Sequence, residues 1–299
     1  MYEKFQFLLA LERERHFGRA AQLCGVSQPN LSAAIKQLEI QLGLTLVDRG
    51  ARFMGFTPEG ERLLEWARRI VGEFRAMEAE VETMKQGQVG HLRIAAIPTS
   101  LPVISRLTAA YWQRHPNVRV SVSAHTSAEI LSRLDNLEAD AGITYLDNEP
   151  LGRNGEVPLY RERYCLVASR NMIFADRPTV TWEEVATLDL CLPSADTQNR
   201  RILDRIFHEV GVTVEPLLES NAAVVLVSHL RTGRMSTIMP RIMVDELVLP
   251  GDFVTIPIVA PEANTLVGLI HPRRDPMPPL TAALITEARL LAPMLASLA

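Results

Sequence analysis

"GVSQPNLSAAIKQLEIQLG", Gly25–Gly43, reads as a helix with an ordinary end and an unusual beginning. Ser27 is a residue type that caps helices, and Pro29 suits a first turn. Leu31, Ile35, Leu38 and Leu42 recur at helical spacing and make one apolar face. Gln28 and Asn30 flank the proline at the exposed start. Ser32, Ala33 and Ala34 follow, where a solvated helix usually carries Glu and Lys. Such an end is polar and low in profile, as close approach to a large polar surface requires. Ser27-Gln28-Pro29 is also, taken alone, a plain capping motif, so its surroundings decide between the two readings.

Working outward, Phe5, Leu8, Leu9 and Glu12 mark a first helix. Phe17, Ala20, Ala21 and Cys24 mark a short second one. Gly25 is free to take positive φ in the tight turn before Ser27, and Gly43 suits the C-terminal stop. Two brief β-prone pieces around Arg49-Gly50 read as a hairpin wing. Thr57 and Pro58 then open the longest helix, whose apolar positions Leu63, Ala67, Ile70, Phe74, Met77, Val81 and Met84 step by four and three in a heptad seam. About 28 residues at roughly 1.5 Å each give a rod of roughly 40 Å. One helix cannot bury a seam against itself, and no second heptad run occurs in the chain. A second copy is the expected mate, the alternative being a long helix lying on its own C-terminal domain.

From His91 the pattern changes to alternating strands and helices: "HLRIAAIP", "NVRVSVSAH" and "DAGITY", and, after "RERYCLVAS", "LDLCLPS", "TVEPLLES", "DFVTIPIV" and "TLVGLIHP". This predicts two similar α/β lobes with largely parallel sheets. The chain is expected to cross between them near 160–164 and again near 264–267.

A helix entering the major groove brings its N-terminal end to base edges and phosphates, so it needs short side chains, amides and hydroxyls. Gln28 and Asn30 can pair with adenine. Ser27 and Ser32 can bond phosphates or bases, the free N–H groups of the helix start favour a phosphate, and Lys36 can hold another. Arg49 and Arg52 in the wing can reach flanking backbone. Charge adds a local signal only. Residues 1–90 hold 12 Lys/Arg and 12 Asp/Glu, but Arg13–Lys36 holds Arg13, Arg15, Arg19 and Lys36 against the single acid Glu14.

The stretch from Phe17 to Gly60 resembles the winged helix-turn-helix of LysR-type transcriptional regulators. The matching residues include Phe17, Ala20-Ala21, Leu23, Ser27-Gln28-Pro29, Leu31-Ser32, Ile35, Leu38-Glu39, Leu42-Gly43, Leu46, Arg49, Thr57-Pro58 and Gly60. Val47 departs from that pattern, where Phe is common, and so does Ala33, where a basic or polar residue is common. Ala33 shifts the expected readout toward Gln28 and Asn30. The resemblance extends more loosely over the whole chain. It implies a multidomain fold: an all-α winged helix-turn-helix head over 1–57, a linker and dimerisation helix over 58–88, and an α/β two-lobed, periplasmic-binding-protein-like domain over 89–299. Lobe I is expected near 89–160 and 267–299, lobe II near 161–266. The DNA-contact set is then Ser27, Gln28, Pro29, Asn30, Ser32, Lys36, Arg49 and Arg52. The implied partners are double-stranded DNA, a small-molecule effector, RNA polymerase and further copies of the chain in a homotetramer.

Hydroxyls recur at strand ends just before helices, where ligands of open α/β sheets bind. They make Thr99, Ser100, Thr126, Thr144 and Ser194 the candidate effector contacts, and convergent helix starts suit a carboxylate or another small anion. Each hydroxyl is also a possible N-cap. Catalytic motifs such as G-x-S-x-G, H-E-x-x-H, G-x-G-x-x-G and the Walker loop do not occur, and neither a metal nor a cofactor is expected. Two other readings remain: an α/β enzyme or carrier with an accessory DNA-binding head, and a purely architectural DNA-binding dimer. With 299 residues, 47% hydrophobic and 22% charged, the chain has material for two or three cores. The early acids do not resemble a signal peptide, and no uninterrupted apolar run nears the ~18–20 residues of a membrane span. Three scattered cysteines form no disulfide framework, which fits a reducing cytoplasm and no membrane partner.

Overall fold

The computed structural model describes residues 1–49, 53–86, 89–147, 150–247 and 253–298. These divide into two compact units, the first of which carries the N-terminal helices. There α1 (Tyr2–Glu14), α2 (Phe17–Leu23) and α3 (Gln28–Leu42) precede the hairpin of β1 (Val47–Arg49) and β2 (Phe53–Phe56), and α4 (Pro58–Gln86) follows. Local chemistry sets each boundary. Gly25 turns the chain at φ 67°, and Ser27 Oγ accepts the Asn30 N–H at 3.4 Å to cap α3. Glu39 on α3 accepts the N–H groups of Leu46 and Val47 at 2.9 and 3.2 Å, which fixes where the wing begins. Thr57 Oγ1 accepts the Gly60 N–H at 3.0 Å, capping α4. Gly60 has no room for a side chain, since a Cβ there would lie 2.1 Å from the Leu46 carbonyl oxygen.

The core of this unit joins Leu8 and Leu11 of α1, Ala20 and Ala21 of α2, Leu31, Ile35 and Leu38 of α3, and Leu64, Ala67 and Val71 of α4. Each fully buried Leu or Ile contributes about 1.5–3 kcal/mol. Leu42, expected on the same face of α3, is instead 37% exposed, because the core stops at Leu38 one turn earlier.

The second unit begins with β3 (Gly90–Ala96), a 3-10 turn at Pro98–Ser100, α5 (Leu101–Arg114), β4 (Val118–Ala124), α6 (Ser127–Asp135), β5 (Ala141–Tyr145) and β6 (Asn154–Glu162). It continues with β7 (Tyr164–Ser169), β8 (Val180–Thr181), α7 (Trp182–Val185), β9 (Cys191–Leu192), α8 (Gln198–Glu209), β10 (Leu218–Glu219), α9 (Ala223–Leu230), β11 (Thr237–Pro240), α10 (Arg241–Leu247) and β12 (Phe253–Val259). It closes with β13 (Thr265–Pro272) and α11 (Pro279–Leu298). Two main sheets result, ordered β4-β3-β5-β13-β6 and β11-β7-β12-β8, and each organises one lobe. The chain passes from the first sheet to the second at Arg163, between β6 and β7, and returns over 260–264.

The sheets are mixed, which corrects the expectation of largely parallel ones. β3 runs parallel to β4 and β5, but β13 lies antiparallel to both β5 and β6. The reversal follows from connectivity, since β13 enters the first sheet from the opposite lobe rather than through a crossover helix. By length and composition α11 could cross a membrane. In the fold it packs through Leu284, Ile285, Ala288 and Leu295, and its buried Glu287 pairs with Arg114 of α5.

Candidate functional site

The first candidate surface is the start of α3. Leu31, Ile35 and Leu38 are each 0% exposed, so the helix is anchored by one stripe. Ser27, Gln28, Pro29, Asn30 and Lys36 are exposed and Ser32 is half-buried. The predicted polar set therefore lies together on one exposed end and flank of a helix whose back is fixed in the core. Arg19, at the start of α2, is engaged by the Glu14 carboxylate at 3.3 Å and by the Glu14 carbonyl. The wing is held by edge-to-face contacts of Phe53 with Phe17 and Phe56. Arg52 and the side chain of Arg49 lie outside the described residues.

The heptad seam of α4 divides. Leu63 and Ala67 pack into the head, while Ile70, Phe74, Met77, Val81 and Met84 are 37–76% exposed. Such a run of large apolar side chains on a charged helix has the spacing of a coiled-coil face.

The second candidate site is a cavity of about 40 Å³ between the lobes. It lies at the carboxyl ends of β3, β4 and β5 from one sheet and of β9, β10 and β11 from the other side. Helices α6, α8 and α9 start at it. Its walls are mostly apolar, with Ile97, Leu226, Ile238, Met239 and Met243, and among the described residues no Lys, Arg or His lines it.

The five predicted contacts fare differently. Thr99 and Thr126 line the cavity; Ser100, Thr144 and Ser194 do not. Ser100 is fully buried and donates to the Ile97 carbonyl at 2.9 Å, inside the turn. Thr144 precedes the lining residue Tyr145 on β5, so it points to the opposite face of the sheet. Ser194 offers its carbonyl to Thr197, while the neighbouring Pro193 takes the wall position. Thr126 itself is committed: its Oγ1 and N–H both donate to the Glu129 carboxylate, at 3.0 and 2.9 Å, and its Oγ1 accepts the Glu129 N–H. The Thr126 N–H holds the Glu129 carboxyl below the ordinary range, so the start of α6 already carries an anion.

Thr144 Oγ1 is buried without a hydrogen-bond partner among the described residues but lies off the cavity, and the unpartnered polar atoms at the cavity itself belong to residues outside the predicted set. Ser127 and Asn199 line the cavity at 2% and 6% exposure, and neither Ser127 Oγ nor Asn199 Oδ1 has a hydrogen-bond partner among the described residues. Behind Asn199 lies a buried network. Tyr145 and Tyr164 donate to Glu162 Oε2 at 3.0 and 3.2 Å. Asn199 Nδ2 donates to the same two hydroxyls at 3.1 and 3.0 Å, and Thr99 lies 3.2 Å from Tyr145. Glu162 is fully buried at the crossing between the lobes, and burial pushes its carboxyl up to about 7 despite these donors. Nothing local in the sequence marks Asn199 or Glu162. Asn199 follows a capping Thr197 in an ordinary helix start, and Glu162 sits in a charged stretch that reads as surface.

Comparison with known proteins identifies both parts of the chain. The family "Bacterial regulatory helix-turn-helix protein, lysR family" matches residues 2–61, and "LysR substrate binding domain" matches residues 85–291. A hydrogen peroxide-inducible genes activator of Escherichia coli O6:H1 is 27% identical over 285 residues, covering 91% of this chain and 89% of that protein. A full-length OxyR variant from Pseudomonas aeruginosa superposes with a TM-score of 0.75 at 21% identity, covering 100% of this chain and 97% of that one. Full-length CbnR complexed with its target DNA gives 0.63 at 21% identity, covering 98% and 100%.

Proposed function

The chain belongs to the LysR family of bacterial regulators, and from that premise we propose which of its surfaces does what. It is a DNA-binding transcriptional regulator with an effector-binding domain, not an enzyme. In our reading Gln28 and Asn30 meet base edges in the major groove, Ser27 and Ser32 bond phosphates or bases, and Lys36 holds the backbone, with Pro29 shaping the close approach. Arg49 and Arg52 complete the set from the wing. The observation that carries this is the anchoring of α3 by three fully buried side chains while its polar start stays exposed. A second copy covers Ile70, Phe74, Met77, Val81 and Met84. Pairs of such dimers form the tetramer on which RNA polymerase access depends, in the cytoplasm.

Control follows from the cavity. A small effector that binds one arrangement of the two lobes better than another shifts the population between them, and equal affinity for both would shift nothing. The shift alters the spacing of the DNA-reading heads and hence the bend imposed on DNA.

The relative named for hydrogen peroxide does not lend that stimulus to this chain. A peroxide-reactive thiol needs access and a lowered pKa. Here burial pushes the Cys165 thiol up to about 11 and raises Cys191, and burial together with Glu3 raises Cys24. Titration of the DNA upstream of this chain's own coding region, against a scrambled duplex of equal length, tests the reading. Salt-sensitive binding that prefers the native sequence is expected, unchanged by peroxide. Equal affinity for both duplexes would refute it.

A further inference from the structure

We propose that the effector is a small uncharged molecule that donates a hydrogen bond from N–H or O–H to Asn199 Oδ1, with Ser127 Oγ bonding its neighbouring polar atom. The proposal deepens, and rests on, the assignment of the inter-lobe cavity as the effector site.

Four observations converge on it. Among the described residues no cationic side chain lines the cavity, so a bound anion would surrender its hydration without a countercharge from them. Arg200, next to Asn199, is already held by Asp204, Glu219 and the Pro193 carbonyl. The start of α6 is taken by the Glu129 carboxylate, which disfavours a second anion beside Thr126.

The orientation of the Asn199 amide supplies the decisive polarity. Both tyrosine hydroxyls give their protons to Glu162, so each can only accept from Asn199. That fixes Nδ2 toward the tyrosines and leaves Oδ1 an acceptor without a donor among the described residues, at 6% exposure. Glu162 is thereby a positioning residue: through two hydroxyls it decides that the cavity presents an acceptor. A carboxylate would set oxygen lone pairs against it, whereas an amide or alcohol brings the missing proton. Ser127 Oγ can donate or accept and so can serve the carbonyl of an amide. Leu226, Met239 and Met243 offer an apolar bed for the remainder. The cavity volume of about 40 Å³ limits the effector to a small molecule.

Three probes of similar size separate charge from donor capacity: propionamide, propionate and methyl acetate. Each is titrated into the full chain by ligand-detected NMR, in the millimolar range appropriate to such fragments. Propionamide is expected to bind at least about tenfold more tightly than either other probe, one hydrogen bond's worth with its desolvation penalty. Ser127→Ala removes a hydroxyl that has no partner to lose, so the fold is kept. It should weaken propionamide by about three- to tenfold. Asn199→Leu should abolish the preference. Propionate binding as tightly as propionamide overturns the proposal. If Ser127→Ala weakens that propionate binding, the cavity remains the effector site and only its polarity was misread. No Ser127-dependent binding by any probe also overturns the proposal, while leaving the DNA-binding assignment to its own titration.

Discussion

Glu162 makes a quantitative prediction about stability. Its carboxyl titrates near 4.5 when exposed and near 7 in the fold, because burial penalises the charged form. Between those values the folded chain holds a proton that the unfolded chain has released. Stability from this group is therefore complete below pH 4.5, falls as pH rises, and is lost above about 7. The interval from 4.5 to about 7 corresponds to about 3 kcal/mol. Glu162→Gln removes the titration while keeping the size and one acceptor for the Tyr145 and Tyr164 hydroxyls. Urea unfolding of both proteins at pH 4.5 and pH 8 gives the test. Trp182 is fully buried against Phe207 and Tyr164, whereas Trp66 and Trp112 are exposed, so tryptophan fluorescence follows the unit that holds Glu162. The wild-type chain should lose about 3 kcal/mol relative to the variant between the two pH values. Parallel pH dependence in the two proteins would refute a buried, protonated Glu162.

Thr126→Ala should cost about 1 kcal/mol through loss of the α6 cap yet leave the effector response intact, measured by melting and by effector-dependent DNA binding. Gly60→Ala should destabilise the head by about 2 kcal/mol or more, read by denaturation, because its Cβ meets the Leu46 carbonyl. Met77→Glu, half exposed within one chain, should leave the fold unchanged and weaken dimerisation at least about tenfold in sedimentation, by placing a charge in the seam.

The head was legible because its signals are local. Gly25, Ser27, Gly43 and Thr57 each act within a few residues, and the stripe Leu31, Ile35, Leu38 repeats with the helix. The seam could also be read, since its exposure depends only on which side of α4 the head occupies. Elements of the second unit were harder. β6 includes Pro158 and a bulge opposite Val267 and Gly268, and β11 spans only Thr237–Pro240, so neither carries a run long enough to notice. The direction of β13 depends on a connection between lobes rather than on its own residues. The cavity was least legible. Hydroxyls at strand ends do mark helix starts, but at Thr126 and Thr197 the helices consume them as caps. The unsatisfied atoms on Ser127 and Asn199 emerge only when every buried donor and acceptor is matched with its partner.

The most direct test of the account is base-pair-resolved binding at the upstream DNA for the wild-type chain, Gln28→Ala and Lys36→Ala. Gln28→Ala should cost about 1–3 kcal/mol and relax preference at particular positions placed symmetrically about the site's centre. Lys36→Ala should weaken all sequences alike and lower the salt dependence by about one released ion. A Gln28→Ala protein with undiminished affinity and unchanged preference would contradict the claim that the start of α3 reads DNA.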